Sequence, residues 1–247
     1  MNDEYLHRLR DMQDVNPTIP ERLLHIINKI DPTKINVILN IGSVDGWIGT
    51  NLAFIFHHAQ VHTFDPVRYN IETCNRNRQT TRLEVQNRTH LHQLALNDTT
   101  GPMKFWELDE FIASKKGRVN RAISSKYKLI DPVTAPWEYS QQHEVTLNGH
   151  RIDDWCSVNS IESVNAIYMS VNGAELDILR GAGRFLENVQ FIITEASITP
   201  YYQNQNLLHE LDAFLKQQGF VEWLPARRFV NSHNVDVIYL NTNFATF

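Results

Sequence analysis

Cysteine is scarce in this sequence. There are two, Cys74 and Cys156, and neither belongs to a Cys-x-x-Cys pair. That argues against a disulfide framework and a zinc knuckle. It leaves free, partly buried thiols in a reducing compartment as the expectation. Long apolar runs are missing too: a stretch such as Leu52 to Phe56 is far too short to span a bilayer. The segment from Met1 to Arg8 is polar and charged, with no apolar signal region. A soluble, cytoplasmic protein without membrane contact is therefore expected. Positive charge is not in excess either. The net charge of -5 over 247 residues argues against a general polyanion binder. No Gly-x-x-x-x-Gly-Lys-[Ser/Thr] stretch occurs, which excludes a P-loop nucleotidase. The dinucleotide fingerprint Gly-x-Gly-x-x-Gly is absent as well, because Val44 stands where its second glycine would be.

The chain is 42% hydrophobic and 21% charged, which suits one large α/β domain, or one domain with additions. Residues 3–12 and 20–30 read as helices separated by a break at Pro17 to Pro20. Leu23, Leu24, Ile26, Ile27 and Ile30 make an apolar stripe on the second. We expect residues 1–33 to be a helical extension and residues 34–247 to form the main domain. Strands are expected at 35–41, 60–64, 144–147, 166–169, 190–194, 220–223 and 235–240. Helices are expected at 47–58, from Pro66 into the segment Arg76 to Arg82, at 175–181, and at 206–218 closed by Gly219. The apolar runs at 91–96 and 103–106 flank Asn97-Asp-Thr-Thr-Gly101, which reads as strand, turn, strand. Residues 107–142 lack a period and read as a lid or a partly disordered loop. The alternation predicts a doubly wound, Rossmann-like α/β fold with antiparallel strands at its end and an inserted hairpin and loop.

Two features then point to a nucleoside cofactor. Asn40-Ile-Gly-Ser-Val-Asp-Gly46 lies between a strand and a helix, where Gly42 permits a tight turn and Gly46 a close helix start. Asp65 ends the next strand, where a carboxylate accepts ribose hydroxyls. S-adenosylmethionine fits this pair, because it has ribose and adenine but no phosphate needing a cradle. A third segment, Ala166 to Gly181, runs from a buried strand through Gly173 into a helix. It sets Ser170, Asn172 and Glu175 at a strand end, where ligands of open α/β sheets sit.

Together these segments resemble the FkbM family of S-adenosylmethionine-dependent methyltransferases. Val37 to Gly46 is similar to its first strand and Asp-x-Gly-Ala-Asn-x-Gly turn. His62-Thr-Phe-Asp-Pro66 is similar to its Phe-Glu-Pro segment, and Leu94-Ala-Leu-Asn-Asp98 to its Ala-Leu-Ser-Asp turn. Arg151-Ile-Asp-Asp-Trp155 resembles Thr-Leu-Asp-Asp, and Ala166 to Gly181 resembles Ile-Lys-x-Asp-Val-Glu-Gly-Ala-Glu. The resemblance covers roughly residues 35–240. It implies a methyltransferase fold and O-methylation of a sugar, glycan intermediate or small molecule. It implies cofactor contacts at Asn40, Gly42, Ser43, Gly46, Asp65, Leu94 and Ala95. Three family acids are neutral here: Asn40, Ser170 and Asn172. Methyl transfer from a sulfonium depends mainly on positioning. Glu195, at the end of the strand Phe191-Ile-Ile-Thr-Glu195, is the surviving candidate base, with Ser170 and Asn172 lining the acceptor side.

Three other features carry weaker readings. His90 and His92 alternate on one strand, as a metal pair or as a packing face, and no metal site is expected. Tyr201 and Tyr202 would line a pocket or form an aromatic patch. Lys115, Lys116, Arg118, Arg121, Lys126 and Lys128 make a locally basic stretch that would steer a phosphorylated or acidic acceptor, or else be a solvated loop. A nucleic-acid methyltransferase rests on that stretch alone and is disfavoured by its single aromatic, Tyr127. A binding module that keeps the fold without the chemistry is the rival suggested by the three lost acids.

Overall fold

The computed structural model describes residues 4–8, 22–108, 123–130, 141–223, 228–229 and 233–246. In chain order, the first half holds β1 (Val37–Ile41), α1 (Trp47–Ile55), β2 (Gln60–Phe64), α2 (Arg68–Arg78), α3 (Leu83–Gln86) and β3 (Thr89–His92). Then come β4 (Ala95–Leu96), β5 (Gly101–Leu108), β6 (Gln142–His150) and α4 (Ile152–Val158). The second half holds β7 (Ala166–Met169), α5 (Glu175–Arg180), β8 (Phe191–Ser197), α6 (Leu208–Gln217), β9 (Phe220–Glu222), β10 (Arg228–Phe229) and β11 (Asn234–Asn241).

The main sheet has eight strands in the order β10-β11-β8-β7-β1-β2-β3, with β9 also paired to β11. The strands from β3 to β8 along this order are parallel, and β11 runs antiparallel to its neighbours. This is the expected doubly wound fold. Strands buried on both faces read as near-continuous apolar runs, which is why β2 and β7 begin and end where expected. One apolar layer joins Leu39, Ile41, Ile167 and Met169 to α4, α5 and α6. The other joins Ile38, Val61 and Ala166 to α1 and to Tyr5, Leu23, Ile26, Ile27 and Ile30.

Residues 4–8 and 22–24 are helical, and turns continue to residue 29; the expected break at Pro17 to Pro20 lies outside the described residues. Arg22 ties this region to the sheet. Its guanidinium pairs with the Asp236 carboxylate and donates to the Tyr168 hydroxyl.

Residues 95–108 do form strand, turn, strand, but the hairpin expected there is corrected. β4 and β5 do not pair with each other. Both pair with β6, in a second sheet of order β4-β6-β5. Gly149 of β6 faces Ala95 on one side and Gly101 on the other. Ladder bonds from a strand some 50 residues away thus replace those of a local hairpin. The hairpin that does exist is β5–β6, and most of its connection lies outside the described residues.

On β2 and β3, His62, His90 and His92 share one face and stack on one another. Trp155 of α4 sits edge-on to His62 and His92. His62 Nδ1 lies 3.1 Å from His92 Nε2, and His90 Nε2 lies 2.7 Å from Gln60 Oε1. Among the described residues, no group of three or more His, Cys, Asp or Glu side chains is placed to hold a metal. Burial pushes His62 down to about 3 and His92 to about 4. The unfolded chain binds these protons near pH 6.5, so the stability they lend is complete above that pH and falls as pH drops toward 4. At pH 4.5 the His62 share is about 2–3 kcal/mol. His62→Phe should therefore lose less thermal stability than the native chain between pH 7 and 4.5. The buried acids Asp65 and Glu175 slope the other way but are common to both proteins. Parallel melting-temperature curves would refute the assignment.

Candidate active site

The sheet's strand order reverses at β1, and ligands of such sheets bind outside the carboxyl ends of the strands at that point. Gly42 leaves β1 at φ 78°. A Cβ there would run into the Ser170 carbonyl oxygen and lie 2.9 Å from Val171 Cγ1. Only glycine lets the β1 turn pass so close to the end of β7. Gly46, at φ 80°, starts α1 against α2, where a Cβ would sit 2.9 Å from Cys74 Cβ. Ser43 holds the turn from within: its Oγ accepts from Gly46 N at 3.2 Å, and its carbonyl accepts from the Cys74 thiol. Both cysteines are free and buried, and burial pushes each thiol up to about 12.

Asn40 lies beneath this turn, 1% exposed, on the face covered by α1. Its Nδ2 donates to Thr63 Oγ1 at 3.3 Å. An amide can donate to that hydroxyl where a carboxylate cannot.

A cavity of about 60 Å³ opens beside the turn, lined by Gly42, Val44, Asp65, Asn70, Phe105, Ser124, Ser170 and Asn172 among others. Asp65 is 4% exposed there. Its Oδ1 accepts from Val67 N at 2.9 Å and its Oδ2 from Asn70 Nδ2 at 3.1 Å. Burial pushes this carboxyl up to about 7, against the pull of those two bonds. A second cavity of about 50 Å³ adjoins it and is mostly apolar: Ile41, Phe64, Leu94, Ala95, Leu96, Met103, Ala174 and Ile178 are among its walls. Gly42, Pro66, Phe105 and Val171 are shared by both.

On the far side, Ser170 Oγ donates to Glu195 Oε2 at 3.3 Å, and Asn234 Nδ2 donates to Glu195 Oε1 at 2.9 Å. Glu195 is half-buried, on β8 opposite Asp236. Asn172 adopts φ 56°, a left-handed conformation that asparagine tolerates better than glutamate. Its Nδ2 donates to the Ser124 carbonyl at 3.0 Å, and its own carbonyl accepts from Ser125 Oγ at 2.8 Å. Both the backbone and the donor requirement thus suit asparagine where the family has an acid. Glu175 folds back under the loop, where its Oε1 accepts from Val171 N and Gly173 N. Burial pushes it up to about 7.

Of the basic stretch, only Lys126 and Lys128 are described. Lys126 Nζ is bound to Asp177 at 2.7 Å and to Asn97 at 2.8 Å, with Asp98 at 3.6 Å. Tyr127 also donates to Asp177. Lys128 lies over the Trp106 ring. Segment 123–130 is therefore fastened across the site. Tyr202 packs with Leu108, Ile123 and Leu129, while the Tyr201 ring lies tilted against His233.

The structure thus brings Gly42, Asp65, Ser170 and Asn172 to one cavity wall, Leu94 and Ala95 to the other, and Glu195 behind Ser170. Asn40, Ser43 and Gly46 shape the turn from below. Sequence reading missed Asn70, Ser124, Phe105 and Asn234. Asn70 had a local signal, one helical turn beyond a strand-end acid. Asn234 had none, because only the β8–β11 pairing brings it to Glu195.

These features belong to a methyltransferase. The sequence profile of the methyltransferase FkbM domain matches residues 39–222, and the chain belongs to the FkbM methyltransferase family. It is 26% identical over 218 residues to the 2-O-methyltransferase NoeI of Sinorhizobium fredii, covering 84% of this chain and 80% of that one. Among solved structures, a putative O-methyltransferase from Klebsiella pneumoniae matches 97% of this chain and 89% of its own, with 11% identity and a TM-score of 0.49. The cofactor-bound Rv0187 from MTB matches 97% and 90%, with 10% identity and a TM-score of 0.47. No helix among the described residues is long and apolar enough to cross a membrane.

Proposed function

We propose that this methyltransferase uses S-adenosylmethionine and methylates a hydroxyl of a sugar, glycan intermediate or small molecule. The observation that carries the cofactor reading is the pairing, in one cavity, of the Gly42 turn with the buried Asp65 carboxylate. Each Asp65 oxygen accepts one bond and keeps a lone pair free for a ribose hydroxyl. Leu94 and Ala95 offer an apolar wall suited to adenine. Asn40, Ser43 and Gly46 hold the turn in shape.

When bound, S-adenosylmethionine supplies a methyl group already activated by the charge on sulfur. The chain's task is to position the acceptor and take its proton. Glu195 is our base, steadied by Ser170 and Asn234, with Ser170 and Asn172 on the acceptor side. The two cavities are smaller than the roughly 300–1,000 Å³ of small-molecule sites. Cofactor entry therefore requires segment 123–130 or Phe105 to give way.

The 2-O-methyltransferase relative supports an acceptor hydroxyl. Net charge -5, and the engagement of Lys126 and Lys128 within the protein, favour a small acceptor over nucleic acid. We read residues 1–33 as a helical extension of a catalytic domain at 34–247, and the free thiols as suited to the cytoplasm. Calorimetry with S-adenosylmethionine tests the cofactor reading. Asp65→Ala should weaken binding by about 1.5–3 kcal/mol through lost charge-assisted hydrogen bonds. Unchanged affinity in that variant, or no binding by the native chain, would sink the assignment.

A further inference from the structure

Asn70 is 2% exposed and lines the Asp65 cavity. Its Nδ2 donates to Asp65, and only that orientation of the amide suits an ionised carboxylate. Its Oδ1 is buried and has no hydrogen-bond partner among the described residues. A buried acceptor left so costs stability, and native proteins keep few of them. The other polar groups of the wall are already engaged. Ser170 donates to Glu195, Asn172 donates to the Ser124 carbonyl, and Ser124 Oγ accepts from Leu108 N. No cationic side chain lines the cavity among the described residues. The wall therefore offers acceptors at Asp65 and Asn70 and little to bind an anion.

We infer that Asn70 is a cofactor-binding residue: its Oδ1 accepts one hydroxyl of a vicinal diol while Asp65 accepts the other. This rests on the proposed adenosyl cofactor and extends it. The bond from Asn70 Nδ2 to Asp65 sets the two acceptors side by side, so the pair recognises a diol as a unit. A phosphate in place of either hydroxyl would set its charge against the Asp65 carboxylate and the Asn70 carbonyl, which disfavours a phosphate-bearing ribose.

The test is a cycle between side chain and ligand. S-adenosylhomocysteine and its 2′-deoxy and 3′-deoxy analogues are titrated into the native protein and into Asn70→Ala, with thermal melts to confirm folding. The native protein should lose roughly three- to tenfold in affinity for each missing hydroxyl. In Asn70→Ala, affinity for S-adenosylhomocysteine should fall by a similar factor, and one of the two analogues should then lose nothing further. Asn70→Ser, which keeps a small polar group, serves for the same cycle if the alanine variant does not fold. If both analogues lose as much in the variant as in the native protein, Asn70 only positions Asp65 and the inference is overturned. If the native protein binds no S-adenosylhomocysteine, the cofactor reading falls and takes this inference with it. The two failures are thus distinct.

Discussion

Glu195→Gln should lower methyl transfer by about 10²-fold or more while leaving cofactor affinity unchanged. The glutamine keeps an acceptor for Ser170 or Asn234 but cannot take a proton from the acceptor hydroxyl. Both Glu195 oxygens accept from neutral donors, at 3.3 and 2.9 Å, so the carboxylate is held in one orientation. Single-turnover rates measured from pH 6 to 9 should show the loss in the chemical step. Turnover that ignores the substitution would move the weight to positioning alone and remove Glu195 as the base.

Arg22→Met should destabilise the fold by up to about 3–5 kcal/mol, because it removes the guanidinium that pairs with the buried Asp236 carboxylate. The two side chains are 14% and 5% exposed, so solvent screens the pair little. The guanidinium also lies over the Tyr168 ring and donates to its hydroxyl, which links the residues before β1 to β7 and β11. Urea unfolding reads the change. Replacing both partners, as Arg22→Met with Asp236→Leu, should recover most of the loss, since a buried pair exchanged for apolar groups is often near neutral. A single variant as stable as the native protein would mean that the N-terminal residues are not anchored this way.

The sheet was legible because its strands are short apolar runs cut by polar or glycine turns. Gln60–Phe64 and Ala166–Met169 stand where expected for that reason. The helix at 152–158 lies outside the expected helices, although Ile152, Trp155 and Cys156 keep a helical spacing, because seven residues give too short a pattern to stand out. The pairing of residues 95–106 was misread, because a turn-like Asn97 to Gly101 says nothing about a partner strand at 142–150. The glycines and Asp65 were readable from their places at strand ends. Asn40 shows the limit of such reading. Its position in the turn motif suggests a ligand contact, yet alternation along β1 turns its side chain toward Thr63 and α1. Asn234 and Ser124 reach the site through long-range pairing and through segment 123–130, which no local pattern reveals.

A crystal structure with S-adenosylhomocysteine tests the central claim most directly. The ribose should lie within hydrogen-bond distance of Asp65, beside the Gly42 turn, with the adenine against Leu94 and Ala95 and with segment 123–130 or Phe105 displaced. A ligand bound elsewhere on the protein, or a ribose that does not touch Asp65, would contradict it.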